Sequence, residues 1–339
     1  MRLLEINYLR AYAIISIVVW HCFVCPLDVW GIITPTAETG IMSFMARFFI
    51  PHANMPLFTF ISGYLFAYLY ANSSKYFRFR PFLKTKFERL VIPFFVLGTL
   101  VNITMPEREL YMILYGGGSH LWFCMMLFWC FMIRWTVLNI KNDIVSSLML
   151  LIGIAANVCS NVFNWDLPDI PFSFFGIRLA IYFYPWFVLG SWMFKYKNIL
   201  INCMKQRSAF VSLFLFSIFY VVWGYGMLIW NNINYVSSIL NTARPLLFIL
   251  LIYLLVIKLI LCGYLKPNRY IDTLCTYSFG IYVFHEWISW GLYHHPFFLG
   301  LFEKYTFAYA FIFTIFDFVI SFVLTHYLLK MKVGRYLLL

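Results

Sequence analysis

Apolar residues fill this chain in long runs, and the few charged residues fall mostly between them. A helix that crosses the hydrocarbon core of a bilayer needs about 20 predominantly apolar residues. Ten stretches qualify: 6–27, 43–71, 85–104, 118–136, 143–163, 175–195, 208–229, 243–263, 274–294 and 308–330. The second is long and carries Pro51 and Pro56, where a tilt or kink is expected. The connections are too short for a soluble domain, and no internal repeat or low-complexity linker interrupts the pattern. The pattern predicts an all-α integral membrane protein, a bundle of ten transmembrane helices forming one domain over 1–339.

Composition agrees. The 339 residues are 63% hydrophobic and 11% charged, with mean hydropathy +0.82, against about 45–50% and about 25% in a soluble domain. The net charge of +12 marks cytoplasmic loops and not nucleic-acid binding in such a chain. With the N-terminus in the cytoplasm, nineteen of the 25 basic residues fall on the inside segments, six of them between Lys75 and Arg89. Arg47, Arg108, Arg178, Arg244 and Lys304 fall outside, together with Asp28, Glu38, Glu107, Glu109, Asp166, Asp169 and Glu303. One missed span would scramble this alternation. Ten spans with both termini cytoplasmic, in the cytoplasmic (inner) cell membrane, are therefore expected. The first run holds Arg10 with no small-residue cleavage site after it, so it reads as a retained span and not a signal peptide. Cys22 and Cys25 form a lone CxxC in an apolar run and read as small buried hydrophobes. No metal-ligand spacing, phosphate-binding glycine loop or nucleophile elbow occurs.

The first run, "LRAYAIISIVVWH", places an arginine and a histidine inside a span. Eleven helical steps of about 100° end within about 20° of three full turns. Arg10 and His21 thus share one face, about 16 Å apart along the axis. A charge inside a span costs roughly 2.5–3.5 kcal/mol. Arg10 therefore either snorkels to lipid phosphates or faces protein, and the shared face favours a polar track. Imidazole suits a base that takes a hydroxyl proton near neutral pH, and guanidinium suits a phosphate or a developing oxyanion.

That stretch resembles the first-helix signature of the membrane acyltransferase-3 family, a basic residue followed eleven positions later by His. Four further stretches are similar to the family's motifs in order: "MPLFTFISGYLF" (55–66), "FLKTKFERLVIPF" (82–94), "SHLWF" (119–123) and "YSFGIYVFHEW" (277–287). The resemblance implies an enzyme that moves an acyl group, usually acetyl from acetyl-CoA, onto a hydroxyl of a cell-envelope or lipid-linked glycan. It implies His21 as the catalytic base and Arg10 as its partner on the donor side. It implies no permanently bound cofactor, with acyl-CoA, the glycan acceptor and the bilayer as partners. The family's Arg-x-x-Arg stands here as Lys86-Phe87-Glu88-Arg89, and Lys lacks the bidentate fork. Where some relatives carry His before Met-Pro-Leu-Phe, this chain has Asn54.

Lys86 and Arg89, at the membrane entry of the basic loop, are candidates for the phosphates of CoA beside the topological role of that loop. His285 is a candidate for the substrate cavity. Its neighbour Glu286 points about 100° away. Asp317, in mid-span, is either a functional carboxylate, a candidate for substrate binding, or a neutral, hydrogen-bonded acid. His294, His295 and His326 read as interfacial, and "GGGS" (116–119) as an outer loop. A glycan or small-molecule transporter is the alternative, since buried charges can line a pathway. The repeated halves and paired broken helices that transporters often show are missing.

Overall fold

The computed structural model describes residues 3–28, 30–34, 36, 38–42, 54–104, 113–114, 120–140, 143–163, 175–229 and 234–338. Among these residues the chain is helical and holds no strand. In chain order the helices are α1 (Leu4–Phe23), α2 (Asn54–Asn72), α3 (Phe79–Lys86), α4 (Ile92–Thr104), α5 (Trp122–Ile140), α6 (Asp143–Phe163), α7 (Ile177–Lys195), α8 (Lys197–Lys205), α9 (Ser208–Ile229), α10 (Asn234–Leu261), α11 (Arg269–His294), α12 (Pro296–Leu328) and α13 (Lys332–Leu338). Every one of the ten predicted runs holds a helix. Residues 43–53 of the second run, with Pro51, lie outside the described residues. α2 runs unbroken through Pro56, which falls in its first described turn, where a missing N–H costs little.

Four helical stretches are long and apolar enough to cross a membrane: Leu4–Leu27, Phe79–Thr104, Ala243–Leu261 and Pro296–Leu328. The pair Lys197–Lys205 and Ser208–Trp223, bent by 103°, makes a fifth if counted as one span. Two helices start well before the predicted runs. α10 begins at Asn234 and carries Pro245 inside it, and α12 begins at Pro296 and turns at Tyr305, whose φ of −131° and ψ of 30° leave the helical region. Between α3 and α4 the chain widens into a π turn over Phe87–Val91. Pro93 explains it, because it offers no N–H to the Arg89 carbonyl and its ring would clash there in a regular α-helix.

The chain folds as two compact units, one of Met1–Asn54 with Pro267–Leu339 and one of Met55–Lys266. In the first unit α1 and α11 run parallel. Asn7 Nδ2 donates to Asp272 Oδ1 (2.9 Å), the Cys275 thiol to the Asn7 carbonyl (3.1 Å), and, about four turns further along α1, the Tyr293 hydroxyl to the Cys22 carbonyl (2.7 Å). Asn268 caps α11 by accepting from the Tyr270 N–H (2.8 Å). α12 returns antiparallel, and His326 Nδ1, expected at an interface, meets the Tyr277 hydroxyl at 2.8 Å. Asn54 is buried and exchanges hydrogen bonds with Ser16 of α1.

The second unit is held by a crossing of two backbones. Gly63 of α2 lies on the Phe187 carbonyl of α7, and Gly190 of α7 lies on the Phe60 carbonyl of α2, so a Cβ at either would overlap backbone. The Ser191 hydroxyl donates to the Gly63 carbonyl (3.1 Å). Small residues permit this approach where lipid removes any hydrophobic drive between helices. The bend after α8 is satisfied from α10. Lys258 Nζ donates to the Met204 carbonyl (2.8 Å), one of those a helix end leaves open, and to the Gln206 carbonyl (3.0 Å), which also accepts from the Ala209 N–H (3.2 Å).

Adding one carbon at the crossing should therefore unfold the unit early. Gly190→Ala is expected to lower the thermal midpoint of the detergent-solubilised protein, with a destabilisation of about 1–3 kcal/mol. Gly98→Ala, where a Cβ meets no atom, should leave it unchanged. Equal midpoints for the two variants would sink this account of the crossing.

Candidate functional site

His21 stands in the last turn of α1, half-buried, and His285 stands fully buried on α11. Their helices bring His285 Nε2 within 3.2 Å of His21 Nδ1, with the rings edge-on at 86° and centroids 4.5 Å apart. The carbonyls around them decide the protons. His285 Nδ1 lies 3.1 Å from the Ile281 carbonyl, which can only accept. His285 therefore carries its proton on Nδ1 and presents a lone pair at Nε2. His21 Nδ1 lies 2.9 Å from the Ile17 carbonyl and faces that lone pair, so it too carries the proton. The lone pair of His21 is thereby assigned to Nε2. One backbone carbonyl thus fixes the tautomer of a second imidazole away. Trp30 lies 6.3 Å from the His21 ring, centroid to centroid, and Tyr293 stands 6.2 Å from Trp30.

One residue beyond His21 is a buried polar cluster. Asp317 of α12 is fully buried. It accepts from the Ser289 hydroxyl of α11, from the Ser321 hydroxyl (3.1 Å) and from the Cys22 thiol (3.7 Å). Cys22 Sγ also lies 3.6 Å from the Ser289 hydroxyl. With the Tyr293 bond to the Cys22 carbonyl, the last turn of α1 is tied to both neighbouring helices. The carboxylate is thus held by hydrogen bonds, beside the base and not in contact with it by any bond described. Glu286 is also buried.

Arg10 lies on the same unbroken helix as His21, so the face and spacing expected from the sequence apply. It is half-buried, makes no hydrogen bond or ion pair among the described residues, and feels Cys275 of α11 electrostatically. In the second unit, Lys86 is buried with its ammonium 3.5 Å from the ring centroid of Phe131 and 5.1 Å from that of Tyr76. Arg89 is exposed, on the π turn. Lys84 and Glu88 form an exposed pair at 3.9 Å.

Four residues carry more than the sequence suggested. Cys22 is buried as expected but joins the Asp317 cluster, and Ser289 joins it too. Arg134 and Lys258, counted with the inside segments, lie within α5 and α10 and are buried. Arg134 was legible. Apolar and aromatic residues continue past it to Ile140, so a boundary drawn at the end of that run would have placed it inside. Among the described residues no group of three His, Cys, Asp or Glu side chains could hold a metal ion.

No curated protein and no solved structure matches the chain. A family model described as an acyltransferase domain, that of the acyltransferase-3 family, matches residues 3–328. With apolar helices able to cross a membrane and a match over nearly its whole length, the chain belongs to the acyltransferase-3 family and is a multi-pass membrane acyltransferase.

Proposed function

We propose that the protein is an O-acyltransferase that moves an acyl group, acetyl in the simplest case, from cytoplasmic acyl-CoA to a hydroxyl of a cell-surface or lipid-linked glycan. Its membrane is the cytoplasmic (inner) membrane, crossed ten times with both termini inside, as the basic residues and the ten helical stretches support. Arg10 of the first unit and Lys86 and Arg89 of the second are assigned to the anionic parts of the donor. The buried carboxylate of Asp317 and the imidazole of His285 are assigned to supporting the acceptor end.

The observation that carries this reading is the hydrogen-bonded pair His21–His285. A sugar hydroxyl is a poor nucleophile at pH 7 and needs a base in hydrogen-bond reach. In the proposed step the hydroxyl oxygen attacks the thioester carbonyl, its proton passes to His21 Nε2, and a C–O bond forms. The C–S bond then breaks, and the proton goes from Nε2 to the departing CoA thiolate. While His21 holds two protons, its Nδ1–H points at two acceptors, the Ile17 carbonyl and His285 Nε2. Trp30 offers an aromatic face within 6.3 Å of the base, suited to the apolar side of a sugar ring.

Two outcomes are expected. His21→Gln, similar in size but not a base, should lower acyl transfer about 10²–10⁴-fold in an assay of thiol release from acetyl-CoA with a glycan acceptor. Its acyl-CoA affinity should stay near normal. His285→Phe, which removes the acceptor for His21 Nδ1, should lower the rate with less loss. Substantial turnover by His21→Gln would move the base elsewhere. For topology, a Ser74→Cys probe in a background stripped of exposed thiols should resist an impermeant maleimide on intact cells and react after lysis. Labelling from outside would overturn the orientation.

A further inference from the structure

The second unit buries three cations among its described residues, Lys86, Arg134 and Lys258. Lys258 is answered by two carbonyls and Lys86 by the face of Phe131. Arg134 has neither. It is 6% exposed, and its Nε and Nη1 groups have no hydrogen-bond partner among the described residues. Arginine keeps its charge in proteins, and a buried charge without a partner is strongly destabilising. Among the described residues of this unit no Asp or Glu is buried beside it.

What stands beside Arg134 is another unused donor. The Tyr184 hydroxyl of α7, 1% exposed, lies next to the guanidinium without meeting hydrogen-bond geometry and is itself unpartnered. Two guanidinium N–H groups and a phenol O–H, all buried and all unspent, make a donor set for an oxyanion. Arg134 follows Phe131 by one helical turn on α5, and Phe131 is the ring that carries Lys86, so a second cation serves the same stretch of helix. Arg134 lies about 9 Å along the axis from the Ile140 end of α5. In the proposed orientation that is the cytoplasmic end, from which CoA arrives.

We propose that Arg134, with the Tyr184 hydroxyl, binds a phosphate of the acyl donor inside the second unit, an assignment that rests on the acyl-CoA reading above. The planar fork of guanidinium matches phosphate oxygens two at a time, and burial inside the helices strengthens each bond. A phospholipid headgroup carries the same chemistry. The low exposure of Arg134 favours a ligand that reaches into the protein over one that rests at its lipid face.

The test uses the whole protein in detergent, with thermal midpoints and calorimetric affinity for CoA. Wild type should be stabilised by CoA. Arg134→Met, of similar length but neutral, should raise the midpoint of the ligand-free protein, because an unpaired buried charge is gone. It should also weaken CoA roughly ten- to hundredfold. Tyr184→Phe should keep the wild-type midpoint and weaken CoA several-fold. Should Arg134→Met fold poorly, Tyr184→Phe decides, and its unchanged CoA affinity would overturn the site. Arg134→Met with a lower midpoint and unchanged CoA affinity would make Arg134 a structural residue. Stabilisation by phosphatidylglycerol that Arg134→Met abolishes, with CoA affinity intact, would assign the site to lipid and overturn the donor assignment. A wild-type midpoint that CoA leaves untouched would instead sink the donor reading itself.

Discussion

The parallel packing of α1 on α11 is the contact on which the first unit's chemistry depends. A parallel pair keeps equal depths aligned, so one docking sets Asn7 against Asp272 at one end and His21 against His285 at the other. In hydrocarbon every polar group must find its partner inside the protein, so each of these bonds is also a register mark. A slip of one residue along either helix would turn each side chain by about 100° and break them together. His21 is therefore positioned by the whole length of the interface and not by its own turn alone. The Asp317 cluster reinforces this by tying Cys22, the next residue, to Ser289 and through it to α12.

The second unit solves a different problem, that of cations among apolar helices. Each buried positive group calls for electron density, and the unit offers it in two forms. Lys258 takes the carbonyls that end α8, which also stabilises the 103° bend into α9. Lys86 takes the π face of Phe131, itself packed on Phe66 and Phe187. Phe187 is also the residue whose carbonyl meets Gly63, so the glycine crossing of α2 and α7 and the Lys86 cation–π site share a wall. Arg134 has neither answer among the described residues, and a buried cation without one is a place to look for a ligand.

Much of this was legible in the sequence because hydropathy runs and helical geometry act locally. The ten runs, the shared face of Arg10 and His21, and the candidacy of His285 and Asp317 all follow from composition and spacing. What the sequence could not show is pairing between distant segments. His21 and His285 are 264 positions apart, and Cys22 and Asp317 are 295 apart. Nothing along the chain says which residue meets which. Helix ends were also hard to place. Arg134 and Lys258 sit near run boundaries, and a positive residue there reads as topology until burial shows otherwise. Pro245 lies inside α10, where packing and neighbouring groups tolerate it in membrane helices.

A neutral imidazole behind the base has a physical logic at this depth. In soluble hydrolases an aspartate orients the catalytic histidine and meets its charge. Here a carboxylate in that place would bury an anion in the resting enzyme, at a solvation cost that low dielectric makes severe. The Ile281 carbonyl achieves the same orientation without charge. It fixes the His285 proton on Nδ1, which leaves Nε2 to fix the His21 proton, which leaves the base nitrogen. In the proposed step the proton that reaches His21 faces acceptors already in place. The carboxylate that does lie nearby, Asp317, spends its oxygens on Ser289, Ser321 and Cys22. Its oxygens are thereby committed to fixing the helix end.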